Sequence, residues 1–120
     1  MGETLCFVHA SEQDSNRIAA TYQLAGWNIV IVAPQAPDAL EQLASYDPAA
    51  VVFCLDERCG PGVIEFAARV LADDRTNRPL MVFVDGSADD IATARGVAPY
   101  GIFVRTDELP WVLKRLSIKS

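Results

Sequence analysis

Pro48-Ala-Ala-Val-Val-Phe-Cys-Leu-Asp56, together with the turn Cys59-Gly60-Pro61-Gly62 that follows, decides the fold of this 120-residue chain. From Ala50 to Leu55 the residues are apolar and rich in β-branched side chains, with no polar alternation. A strand exposed on one face alternates; one buried on both faces reads as a continuous apolar run, the mark of a parallel sheet. Polar chemistry returns at Asp56, and beyond the turn Val63, Phe66, Ala67, Val70 and Leu71 fall on one helical stripe. A doubly buried strand feeding an amphipathic helix is the repeating unit of an α/β sheet.

The same unit recurs on either side. Leu5–Val8 is a first short apolar run, broken by His9-Ala10-Ser11. Ser15-Asn16-Arg17 opens a helix with Ile18, Tyr22 and Ala25 on one face, and Gly26 stops it. Asn28–Val32 is a second strand. Asp38 is placed to cap a helix carrying Leu40, Leu43 and Ala44. Leu80–Val84 is the fourth strand, and Asp85-Gly86-Ser87 caps a weaker helix around Ile91 and Ala94 that Pro99 must end. Ile102–Val104 is the fifth strand. Leu109, Val112, Leu113 and Leu116 form the closing helix, with Pro110 tolerated in its first turn. Right-handed crossovers leave few ways to wind five such strands. The expected architecture is a flavodoxin-like three-layer α/β fold: a five-stranded parallel sheet in order 2-1-3-4-5, helices on both faces, one domain over residues 1–120. Sites in such sheets lie outside the carboxyl ends of the strands, near the switch between strands one and three.

Composition narrows the function. About half of the residues are apolar, enough for one core without disulfides or structural metal. The net charge of −6 argues against a nucleic-acid surface, which needs clustered cations. The small basic group Lys114, Arg115 and Lys119 suits the last turn of a helix. No apolar run is long enough to span a bilayer, and no secretory h-region is present. Three cysteines without scaffold spacing fit a reducing compartment, so a cytoplasmic setting is expected. No repeat, linker or low-complexity segment interrupts the chain.

From Leu5 to Leu116 the order of these features resembles a response-regulator receiver domain. The likeness rests on an apolar first strand, a proline before the third, Pro61-Gly62 in the loop after it, Pro79 before the fourth, and a fifth strand ending in a basic residue. It implies a phosphoryl switch at the strand tips, and each switch position departs from the family pattern. The acidic pair that would hold Mg²⁺ reads His9 and Ala10. The phosphoacceptor aspartate aligns with Cys54 counted from Pro48; counted back from Pro61 it falls nearer Asp56 and Glu57. The hydroxyl at the end of the fourth strand reads Val84, with Ser87 the nearest hydroxyl. The lysine of the fifth strand reads Arg105, and the proline after it Thr106. A guanidinium fork is not a compact ammonium, and a thiol cannot form the usual acyl phosphate. The resemblance is therefore to an atypical receiver, a pseudo-receiver. It is expected to act as a non-enzymatic, protein-binding signalling module, with no cofactor, no bound metal, and neither nucleic acid nor membrane as partner. Receivers use the face of the fourth helix, fifth strand and fifth helix for dimer or partner contacts, which here implies Ala92, Arg95, Tyr100, Phe103, Arg105 and Trp111.

Other readings of single residues stand beside this one. Cys54 and His9 would lie on adjacent strand tips, so a thiolate–imidazole pair serving a small-ligand or redox response is the alternative; a buried thiol and a loop imidazole account for the same residues. Asp56, Asp85 and Asp107 collect at the carboxyl edge, where they suit either a weak cation site or helix capping. Cys-Gly-Pro-Gly lacks the glycine spacing and Lys-Ser/Thr of a phosphate loop and reads as a turn. Trp27 and Trp111 are each open to a core-edge or an interface role.

Overall fold

The computed structural model describes residues 4–8, 27–33, 36–55, 62–73, 79–105, 108–109 and 111–112. Five strands, β1 (Thr4–Val8), β2 (Asn28–Val32), β3 (Ala50–Cys54), β4 (Leu80–Val84) and β5 (Ile102–Val104), form one parallel sheet in the order β2-β1-β3-β4-β5. Among the described residues three helices join β2 to β3, β3 to β4 and β4 to β5: α1 (Ala39–Tyr46), α2 (Gly62–Ala72) and α3 (Ala88–Val97). The helix expected over residues 15–26 lies outside the described residues, so α3 corresponds to the fourth helix of the sequence reading. Among the described residues no helix is long and apolar enough to cross a membrane.

Both faces of the sheet are covered, as the continuous apolar strands require. Cys6, Val8, Val51, Phe53, Met81 and Phe83 point to one face and pack with Ala39, Leu43, Val63, Phe66, Ala67, Val70 and Ala94 of the three helices. Leu5, Phe7, Ala50, Val52, Val82 and Val84 make the opposite face and pack with Trp27 and Leu109. In α2 the buried residues Val63, Phe66, Ala67 and Val70 are the stripe that the sequence displays. By contrast α3 buries only Ala94, so tertiary contact along one narrow line holds it.

Local chemistry sets the helix ends, with one departure from expectation at α1 and, at α3, a choice within the expected Asp85-Gly86-Ser87 cap. Asp38 occupies the N-cap position of α1, yet its carboxylate makes no capping bond; it accepts instead from the Gln42 side chain at 2.9 Å. At α3 the cap is Ser87 and not Asp85: the Ser87 hydroxyl accepts the Asp90 N–H at 3.1 Å. In return the Ser87 N–H donates to the Asp90 carboxylate at 3.3 Å, closing a capping box.

Candidate functional site at the strand tips and the outer face of the fifth strand

Parallel registration brings the strand ends into one row. Val8 pairs with Phe53, Cys54 with Val84, and Val84 with Val104. Hydrogen bonding continues one residue past the ladder, from Leu55 N–H to Val84 C=O at 2.9 Å and from Asp85 N–H to Val104 C=O at 3.0 Å. β3 therefore stops at Cys54, one residue earlier than its apolar run, because Leu55 already turns away while still tied to β4. The tips of β3, β4 and β5 are fastened to one another up to the edge.

Beyond β4 the backbone turns through two consecutive positive φ angles, 60° at Asp85 and 109° at Gly86. Aspartate tolerates the left-handed region better than most residues, whereas φ of 109° favours glycine. A side chain at Gly86 would also place its Cβ 2.7 Å from the Leu55 Cβ. This turn delivers Ser87 to the start of α3, which commits its oxygen to the helix cap.

The expected site residues are distributed as follows. Cys54 is half-buried at the end of β3, packed against the core under α2 and α3. Val84 is buried and belongs to the core on the other face. Arg105 is exposed just past β5; its N–H donates to Glu108 Oε1 at 3.0 Å and its C=O accepts the Glu108 N–H at 2.9 Å. His9, Ala10 and Asp56 lie outside the described residues, as do Glu57, Cys59, Thr106 and Asp107. Among the described residues no three His, Cys, Asp or Glu side chains are grouped to hold a metal ion. Cys6, by contrast, is fully buried in β1, and burial pushes its thiol from 9.0 up to about 12. The neutral thiol is the form the core holds.

The outer face at β5 is assembled differently. Phe53, Phe83 and Phe103 sit in register on β3, β4 and β5, and their rings stack with centroids 5.0 Å apart at each step and planes within 19° and 11°. Gly101 makes room for this stack, since a Cβ there would come 2.8 Å from the edge of the Phe83 ring. At the surface end of the stack the Arg95 guanidinium lies 5.1 Å over the Phe103 ring. Ala92 and Arg95 are exposed on α3, and Phe103 is half-buried beneath Arg95. Tyr100 and Trp111 present 96% and 72% of their surface to solvent. The two tryptophans thus part company: Trp27 is only 8% exposed and belongs to the core, while Trp111 stands out from it.

Sequence reasoning missed the ring stack and the guanidinium on top of it. The signal was present, since each phenylalanine immediately precedes the last residue of its strand, but it takes the strand order to line the three up. A pocket of about 350 Å³ lies at the opposite, amino-terminal edge, lined by Leu71, Pro79, Leu80, Met81, Ala98 and Tyr100 among others. Its walls are apolar, and it is remote from the strand tips.

No protein-family model matches the sequence. No curated relative matches it either. Solved structures that share its fold include receiver domains. The chemotaxis protein CheY4 of Vibrio cholerae aligns with a TM-score of 0.76 at 14% identity, over 96% of this chain and 98% of that one. A CheY-like response regulator receiver domain from Methylobacillus flagellatus aligns at 0.77 with 14% identity, over 96% and 98%. The receiver domain of a sensor histidine kinase from Pseudomonas aeruginosa, which holds a magnesium ion in its active-site cleft, aligns at 0.70 with 15% identity over the whole of both chains. The fold of this chain is the CheY-like, flavodoxin-like one. At such identities the likeness carries the scaffold, and the chemistry has to be argued from this chain's own residues.

Proposed function

We propose that this chain is a receiver-like module of signal transduction that works through protein–protein contact and not through aspartyl phosphorylation. The observation that carries the reading is the pairing of Cys54 with Val84 at the carboxyl edge. Where a phosphoryl switch needs a carboxylate to accept the group and a hydroxyl to follow it, these positions hold a thiol and an isopropyl side chain. Ser87, the nearest hydroxyl, is engaged in the cap of α3. Arg105 brings a planar fork where the family uses an ammonium. His9 and Ala10 supply no carboxylate for a divalent cation, which prefers oxygen ligands.

The protein-binding half of the reading is supported by the outer face at β5. Tryptophan, tyrosine and arginine are the residue types that dominate binding energy at interfaces, and all three are exposed on the elements that flank β5, as Trp111, Tyr100 and Arg95. A homodimer through α3, β5 and the helical stretch around Trp111 falls within this reading, as does a different protein partner. The cytosol is the compartment that fits the thiols and the composition.

Incubation with acetyl phosphate and Mg²⁺, followed by intact-mass spectrometry, tests the first half. The mass is expected to stay unchanged, and a phosphoryl adduct on Asp56 would overturn the proposal. Sedimentation velocity over a range of concentrations, alone and with candidate partners, tests the second half. Association that weakens in Trp111→Ala is expected.

A further inference from the structure

We infer that the occupant of the β5 face is an acidic protein segment bearing an aromatic or large aliphatic anchor, with Arg95 as the residue that selects its charge. This rests on the protein-binding reading above and adds the chemistry of the partner.

The chain carries a net charge of −6, yet the described cations of this face are unpaired by its own acids. Among the described residues neither Arg95 nor Arg105 forms an ion pair; Arg95 has only the ring of Phe103 beneath it. The acids nearest in sequence are engaged or distant. The Glu108 carboxylate accepts the Arg105 backbone N–H. Asp90 closes the capping box at the far end of α3. Asp89 is six positions before Arg95, about 9 Å along the helix axis.

Arg95 is also held in place. A free arginine loses rotamer entropy when it is fixed in a complex. Here the guanidinium carbon already lies 5.1 Å over the Phe103 ring, and Phe103 is backed by Phe83 and Phe53 in the core. A cation on a ring face keeps its N–H edge available, and that planar edge matches a carboxylate. Tyr100 precedes β5 and Arg105 follows it, so the strand carries them about 16 Å apart. That span takes a short segment with one anchor and flanking acids. Ala92 and Gly96 are both exposed on α3 and leave the approach to Arg95 low.

The test uses two short synthetic peptides with the same central Trp-Leu pair, one flanked by glutamates and one by lysines. Each is titrated into isotope-labelled protein and followed by heteronuclear NMR. The acidic peptide is expected to shift the amides of α3 and β5 and to bind at least about tenfold more weakly at high salt. The lysine peptide is expected not to bind. Arg95→Glu should abolish binding of the acidic peptide, and Arg95→Lys, which keeps the charge but not the planar fork, should weaken it. Both variants change an exposed side chain, and far-UV circular dichroism confirms that they fold. If both peptides bind this face equally, the face remains an interface and the charge selection is refuted. If the acidic peptide shifts other surfaces only, or Arg95→Glu binds it unchanged, the inference is likewise overturned. Loss of all association in the sedimentation experiment, by contrast, removes the protein-binding reading itself.

Discussion

The strand tips and the outer face at β5 are built on the same strands, only one or two residues apart, and they differ in how their side chains are used. At the tips most described groups are taken up by packing or by local hydrogen bonds: Val84 by the core, the Leu55 and Asp85 backbone by bonds to the neighbouring strand, and the Ser87 hydroxyl by the helix cap. At the face, side chains of the same small domain are left presented to solvent on a rigid backing. A switch needs groups that can change partners; a docking surface needs groups that are fixed and uncovered. This contrast teaches that one sheet can close its strand ends with backbone bonds and packing while its side carries a ring stack with exposed residues above it.

The contrast can be broken at its shared foundation first. Phe83 lies under both regions, fully buried between two rings. Phe83→Ala is expected to cost about 4 kcal/mol by urea denaturation, the usual scale for deleting a buried ring. Gly86→Ala comes next. It combines an unfavourable backbone angle with a 2.7 Å approach to Leu55 and should cost about 3 kcal/mol, with association through the β5 face kept. An unchanged unfolding midpoint would show that the turn rearranges at no cost.

Cys6 and Cys54, the two described thiols, differ in burial. A group whose folded pKa is raised contributes stability that is complete below its unfolded value and is lost as pH rises through the folded one. For Cys6 that window runs from 9.0 up to about 12. Stability should fall across it, and Cys6→Ala should flatten that part of the profile. At neutral pH Cys6 should resist iodoacetamide until the chain unfolds, whereas half-buried Cys54 should react earlier. Ser87→Ala removes one half of the capping box and should cost about 1 kcal/mol. Trp111→Ala should change stability least, by under about 0.5 kcal/mol, while weakening association most. A large loss of stability in that variant would make Trp111 a packing residue and erase the distinction drawn above.

Much of the scaffold is legible in the sequence because burial on both faces leaves an unbroken apolar run. Asn28–Val32, Leu80–Val84 and Ile102–Val104 are strands at the expected residues. Helix α2 shows its stripe for the same reason. The caps were harder to read. Asp38, Asp85 and Ser87 all suit a helix start by type, and the choice among them depends on backbone angles that neighbouring strands impose. Hardest of all was the fate of Trp27 and Trp111, since an indole suits core and interface equally and only the surroundings decide. The stacking of Arg95 on Phe103 depends on how a helix lies across a strand, which no local pattern encodes.

The row of three parallel rings has a spectroscopic consequence. Circulating π-electrons displace the magnetic resonances of whatever lies above and below each ring. The ring protons of Phe83, which lies between the other two, should therefore resonate upfield of their ordinary positions. A one-dimensional proton spectrum thus contains an internal gauge of whether this side of the sheet is intact, readable before any resonance elsewhere has been assigned.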